Sequence, residues 1–240
     1  MRLRPYFFAA LAALLPAQDA DAILARNIKA RGGEARLAAV KTLRMVGRTA
    51  LIPDIKRVPC MEEVGVPHEW RKELTLDGGY TEVDTFDGKE GWQLIPWAAN
   101  RAPRPLPADA VGFLAEEERF WDLLLTYKAK GLKAEYQGKV AVGQGPMHKI
   151  RIPLTPSCDV TYYIDPATFQ ETQREQVWRS MGNEVKLKST FDDFRELGGI
   201  VLPYFIERRA VGLGSRERMV IERVEINPPI AEARFGKPSR

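Results

Sequence analysis

Apolar and polar residues alternate along most of this chain. Leu43, Met45 and Leu51 alternate with Arg44, Arg48 and Ala50, and Trp70, Leu74 and Leu76 oppose Arg71, Glu73 and Thr75. The same period of two recurs in three further sets: Leu132-Ala134-Tyr136, Ile150-Ile152-Leu154 and Val160-Tyr162-Ile164. It returns once more in Val185-Leu187-Phe191 against Glu184, Lys186, Lys188 and Thr190. A side-chain period of two with one apolar face predicts antiparallel strands wetted on the other side. About eleven such runs are separated by turn signals such as Asp77-Gly78-Gly79, Asp165-Pro166 and Gly198-Gly199. Strands at that spacing predict a barrel or a strongly curved sheet.

Two stretches break the alternation. Asp19 or Asp21 caps a predicted helix in which Ile23, Leu24 and Ile28 share a face, ending at Gly32-Gly33. A second short helical piece, Glu34 to Val40, leads into the first strand. In mid-chain, Pro96, Pro103, Pro105 and Pro107 exclude a strand across 96–107. Beyond them Val111 and Leu114, then Phe120, Trp121, Leu124 and Leu125, fall at helical spacings. A helical insertion into a sheet protein lies on one face or across its mouth. The pattern shows no domain boundary, and Gly236 to Arg240 read as a loose end.

The first 17 residues are basic, then apolar, and close in small residues, as in a secretory signal peptide. Cleavage is expected after Ala17, with Ala22 the alternative, leaving one domain over 18–240. Removing Arg2 and Arg4 lowers the formal charge from +4 to +2, so the mature chain is nearly balanced and nucleic acid is not an expected partner. Cys60 and Cys158 stand 98 positions apart in an exported chain. They either form a disulfide, for which the chain-entropy model gives roughly 4–5 kcal/mol, or stay free as buried small apolar residues.

Catalytic patterns are missing from the sequence. His68 and His148 belong to no metal motif, and there is no Gly-x-Ser-x-Gly elbow or phosphate-binding glycine loop. His148 is assigned to the polar face of its strand. Asp192 and Asp193 are adjacent on a strand, so they point apart, and Glu116-Glu117-Glu118 reads as a solvated helix end. No catalytic residue, metal or cofactor is expected. The positive signal is aromatic. An incompletely filled curved sheet leaves an apolar trough, and each acyl methylene placed in it gains about 0.8 kcal/mol.

Three stretches together resemble the periplasmic lipoprotein carriers (LolA-like) and their outer-membrane lipoprotein-sorting branch. They are Phe86-Asp87-Gly88-Lys89-Glu90-Gly91-Trp92 with Pro96-Trp97, Thr161 to Phe169, and Phe191-Asp192-Asp193-Phe194 through Gly199-Ile200-Val201-Leu202-Pro203. Ala30-Arg31-Gly32-Gly33-Glu34 is similar to the sorting branch as well. The resemblance implies an unclosed half-barrel, mainly β with α: one antiparallel, strongly curved sheet of about eleven strands with helices lidding its concave face. It further implies an exported, monomeric carrier of lipid or lipoprotein acyl chains that performs no chemistry and touches membranes transiently. An envelope donor or acceptor protein would serve as its partner. A lipid-sensing interaction module is the alternative. By position, Trp92, Leu94 and Trp97 would line the hollow and Phe113, Phe120, Trp121 and Leu124 would form the lid. Met45, Leu74 and Leu76 complete the expected ligand-binding set. The carriers place a lid-bonding basic residue where this chain has Val66 before Pro67.

Overall fold

The computed structural model describes residues 19–51, 57–66, 68–117, 120–143, 145–180, 183–212 and 215–239. The expected signal segment, 1–17, lies outside them. The chain opens with α1 (Ala20–Ala30) and α2 (Glu34–Ala38). Six strands follow: β1 (Thr42–Leu51), β2 (Arg57–Gly65), β3 (Glu69–Thr75), β4 (Thr81–Phe86), β5 (Gly91–Leu94) and β6 (Arg104–Pro105). The insertion contains α3 (Ala108–Glu116) and α4 (Asp122–Thr126). Then come β7 (Glu135–Val142), β8 (Gly145–Thr155), β9 (Cys158–Ile164) and β10 (Glu171–Ser180). The last three strands are β11 (Asn183–Leu197), β12 (Ile200–Val211) and β13 (Ser215–Ile226).

All thirteen strands join one antiparallel sheet in the order β6-β5-β4-β3-β2-β1-β13-β12-β11-β10-β9-β8-β7. Two meanders therefore meet at a seam where β1 pairs with β13. The sheet does not close, because β6 and β7 are its two edges. The helical insertion joins those edges in sequence. The expected count of eleven falls short. One reason is β6, a two-residue strand inside the proline-rich stretch that pairs Pro105 with Trp92 at the sheet's edge. An edge position tolerates proline because its missing N–H would face away from the partner.

Cross-strand partners share a face, so the register separates the two sides of the sheet. Leu43 (β1), Val64 (β2) and Trp70 (β3) form one row, and Thr49, Met219, Ile206 and Phe191 another. These belong to the face that the helices cover. Ile23 and Leu24 of α1 and Leu37 of α2 are buried there with Ile150, Tyr162, Leu202 and Ile221 in one continuous core. Asp19 caps α1 by accepting from the Asp21 N–H at 3.0 Å. The α1–α2 turn docks on the β11–β12 turn at Gly32. Its φ is +123°, and a Cβ there would lie 2.2 Å from the Gly199 carbonyl. Glycine alone fits both demands.

The opposite, outer face carries ion pairs of its own. Arg44 bridges Glu63 at 2.8 Å and Glu225 at 2.7 Å. The C-terminal residues, expected to be loose, lie against this face. Arg234 pairs with Glu63 at 2.6 Å, Thr85 donates to the Gly236 carbonyl at 2.9 Å, and Phe235 is buried.

One buried ionic node fixes the helices to the sheet. Glu171 at the start of β10 receives Arg174 Nε at 2.7 Å and Arg174 Nη2 at 2.9 Å, and it also binds Arg31 at the end of α1. All three side chains are at most 5% exposed. Arg174 also donates to the Phe120 carbonyl at 2.6 Å and lies over the Tyr162 and Phe191 rings, 5.3 Å from each centroid. Removing the one carboxylate charge takes its ion pair from two buried guanidiniums, a loss of about 3–5 kcal/mol. Glu171→Gln is expected to lower the urea midpoint accordingly. An unfolding free energy within about 0.5 kcal/mol of wild type would show the node to be dispensable.

Candidate functional site

Of the two longer helices, α3 is the loosely held one. Pro107 precedes it without a side-chain cap, and none of its residues is buried. Val111 and Leu114, with Phe120 beyond its end, rest on Val64, Trp70 and Phe86 of β2, β3 and β4. On its other side Phe113 packs against Trp178 of β10, ring centroids 3.9 Å apart. The helix thus bridges the two halves of the covered face. Gln176 of β10 donates to the Glu116 carbonyl at its C-terminal end.

Charged groups lie on the same face as those apolar contacts. Register aligns Gln93, Asp84, Lys72 and Glu62 across β5, β4, β3 and β2, with Leu74 and Cys60 in the next row. Arg208 of β12 forks onto Glu62 at 2.8 and 3.2 Å. Lys72 binds Glu217 of β13, which also accepts from the Thr49 hydroxyl at 3.0 Å. Burial opposes the charge on Lys72, but Glu217 and Glu62 outweigh it and raise its pKa. Arg208 is likewise opposed by burial and raised by Glu62 and Glu217, with Glu117 adding to the effect. Burial pushes the Asp84 and Glu82 carboxyls up. The part of the sheet that α3 covers is therefore apolar on one side and charged, with its charges paired, on the other.

Cys60, Glu62 and Glu217 place ligand atoms within 4.8 Å of one another. Lys72 and Arg208 already balance the two carboxylates, and burial raises the Cys60 thiol, so a cation would have to displace Lys72. Cys158 is also buried and its pKa is pushed up to about 12, chiefly by burial. Both cysteines are free.

The expected ligand-binding residues separate into three groups. Phe113 and Phe120 lie where α3 and the residues after it pack on the sheet, and Met45 and Leu74 lie on the covered face within the core. Leu76, next in phase after Leu74, is half-buried. Trp121 and Leu124, expected in the lid, are each 2% exposed in the central core, and Trp121 Nε1 donates to the Leu37 carbonyl at 3.2 Å. Helix α4 is an anchor, further tied by Tyr127 donating to Asp21 at 2.7 Å. Trp92 and Leu94 lie on the outer face, since Trp92 pairs with Thr85 and Leu94 with Val83. The C-terminal segment reaches Trp92 there, with Lys237 4.8 Å from its ring. Trp97 is 49% exposed in the turn beyond β5. Leu94, Tyr80, Pro96 and Arg101 instead line a separate cavity of about 520 Å³.

Sequence reading missed Trp178 and the quartet Glu62, Lys72, Arg208 and Glu217. One signal was available: Lys72 lies in phase between Trp70 and Leu74, a charge on the apolar face. His148 was assigned to the wrong face. It pairs with Ile164 on the covered side, is 3% exposed, meets the Tyr136 hydroxyl at 3.1 Å and stacks on Phe169. Glu117, expected in solvent, is buried, and Glu118 lies outside the described residues. Asp193 sits at φ +52° and is held by Arg195 at 2.6 Å.

No family model matches this chain, and no curated protein matches it. Solved structures do. A LolA superfamily protein from Nitrosomonas europaea is 14% identical, with 92% of this chain and 99% of that one covered at a TM-score of 0.55. A DUF1329 family protein from Desulfovibrio piger is 10% identical over 92% and 98% of the two chains, at 0.57. A domain assigned to outer membrane lipoprotein sorting, from Vibrio parahaemolyticus, is 10% identical over 90% and 95%, at 0.56. Coverage of nearly the whole of both chains establishes a LolA-like fold.

Two expectations follow. Leu124→Asp, a charge in the packed core, is expected to unfold the protein, whereas Phe113→Asp at the half-buried helix leaves it folded. Thermal melts compare them, and equal losses would remove the distinction between anchor and lid. Burial, with Lys139 and Arg26, holds His148 below the usual 6.5. Because the native state resists its protonation, stability falls as pH drops through 6.5 toward that lower value. Melts of wild type and His148→Gln between neutral and mildly acid pH check this. An equally steep fall in the variant would assign the effect to other groups.

Proposed function

We propose that this protein is an exported, periplasmic binding protein that carries lipid or lipoprotein acyl chains beneath α3. The observation that supports this reading is the packing of α3. It is an amphipathic helix laid over Val64, Trp70, Phe86 and Trp178 without one fully buried residue of its own. Apolar contacts of that kind exchange readily: acyl chains would replace Val111, Phe113 and Leu114 at about 0.8 kcal/mol per methylene buried. Helix α4 and the Arg174 node would hold the frame while α3 and its proline-rich approach move. No covalent chemistry is required. Among the described residues no helix is long and apolar enough to cross a membrane.

The mixed lining favours an amphiphile over a plain hydrocarbon, its chains against the aromatic wall and its polar part near Arg208 and Lys72. Native mass spectrometry of protein purified from its own envelope is expected to show bound lipid mass. Phe113→Asp combined with Leu114→Asp should remove that mass and leave the β-type circular dichroism intact. Wild-type protein that is consistently free of lipid, or a folded variant with unchanged lipid, would overturn the carrier reading.

A further inference from the structure

At the far ends of β11, β12 and β13 the outer face is no longer charge-balanced. Register sets Lys188 beside Arg209 and Arg209 beside Arg216, three cations in one cross-strand row. Like charges directly opposite, about 5 Å apart, destabilise a sheet. One step from this row, Lys186 faces Val211, an apolar residue 47% exposed. Glu207 holds Arg216 and Arg218 together, each at 2.7 Å. Lys186, Lys188 and Arg209 have no ion pair among the described residues. Of the neighbouring acids, Glu184 pairs with Arg179 at 3.4 Å. Glu175 lies opposite Lys188 at the β10 end of the row and accepts from two neutral donors, Tyr163 at 3.1 Å and Gln173 at 3.2 Å, so Lys186, Lys188 and Arg209 still outnumber the one acid beside them. On the covered side of the same strand ends, Val185 and Leu187 are only half-buried.

We propose that this edge docks on the anionic surface of a lipid bilayer. A row of cations kept against its own repulsion needs negative charge opposite it. The apolar Val211, Val185 and Leu187 at the same edge favour a membrane boundary over an acidic polypeptide, because an interface accepts cations and apolar side chains together. Val185 pairs with Trp178, the residue under Phe113, so the docked edge adjoins the sheet surface that α3 covers. The inference does not depend on the carrier reading.

Flotation with vesicles of mixed phosphatidylglycerol and phosphatidylcholine tests it, with pure phosphatidylcholine vesicles alongside. Wild-type protein is expected to float with the anionic vesicles, to be released by salt and to ignore the neutral ones. Combining Lys186→Glu, Lys188→Glu and Arg209→Glu should weaken partitioning by on the order of 100-fold. A control with the same net charge, Lys29→Glu, Lys89→Glu and Lys133→Glu on other surfaces, should retain most of it. Val211→Asp, at an exposed position, supplies a second variant if the triple one fails to fold, and it should also weaken flotation. Equal losses in the strip and control variants would overturn the proposal. So would a wild type that stays off anionic vesicles, or one that binds soluble polyglutamate in their place.

Discussion

A single carboxylate, Glu171, holds the helices of this protein to its sheet. It is fully buried between Arg31 from the end of α1 and Arg174 from β10. Desolvating three charges is unfavourable, and only close pairing offsets it. The gain is positional. Arg174 then reaches the Phe120 carbonyl at the start of the segment leading to α4, and the aromatic rings of Tyr162 and Phe191 close over its guanidinium. Helix α1, strand β10 and the root of the insertion are fixed relative to one another by one ion triad. With that frame rigid, α3 can be loosely packed without the sheet losing its shape.

The interior is divided in chemistry as well as in packing. On one side lie rings and branched aliphatics; on the other, Glu62, Lys72, Arg208 and Glu217 neutralise each other across β2, β3, β12 and β13. A compartment lined only by hydrocarbon would hold any greasy molecule. A charged wall whose members are already paired selects differently, because an incoming polar group must match what those pairs now supply to each other. On the proposed carrier reading, selection would rest on replacing hydrogen bonds, and retention on the area of hydrocarbon covered.

Much of the architecture was legible because alternation is a direct consequence of strand geometry. Leu43, Met45, Trp70, Leu74, Ile150 and Tyr162 all lie on the face their phase predicts. The first helix, its Asp19 cap and its glycine stop were readable for the same local reasons. Assignments failed where the deciding contact is distant in sequence. Trp92 and Leu94 look inward as a pattern, yet both lie on the outer face, where a segment some 140 residues later reaches Trp92. Trp121 and Leu124 have the spacing of a lid helix, but their burial depends on Leu37 and the sheet beneath. His148 went to the wrong face because a histidine counts as polar in a pattern, whereas here its ring packs on Phe169 and bonds Tyr136. Phase fixes which side a residue is on only after the register of the whole sheet is known.

The seam between β1 and β13 sets the order in which this molecule can be completed. Leu43 meets Ile226, and Leu51 meets Glu217, so the strand made first waits for the strand made last. Loop closure over so long a span is slow, and the two meanders cannot join until β13, Ser215–Ile226, is available. A polypeptide emerging N-terminus first from a narrow channel would stay pliable for nearly its entire passage. It would lock only when its tail arrives.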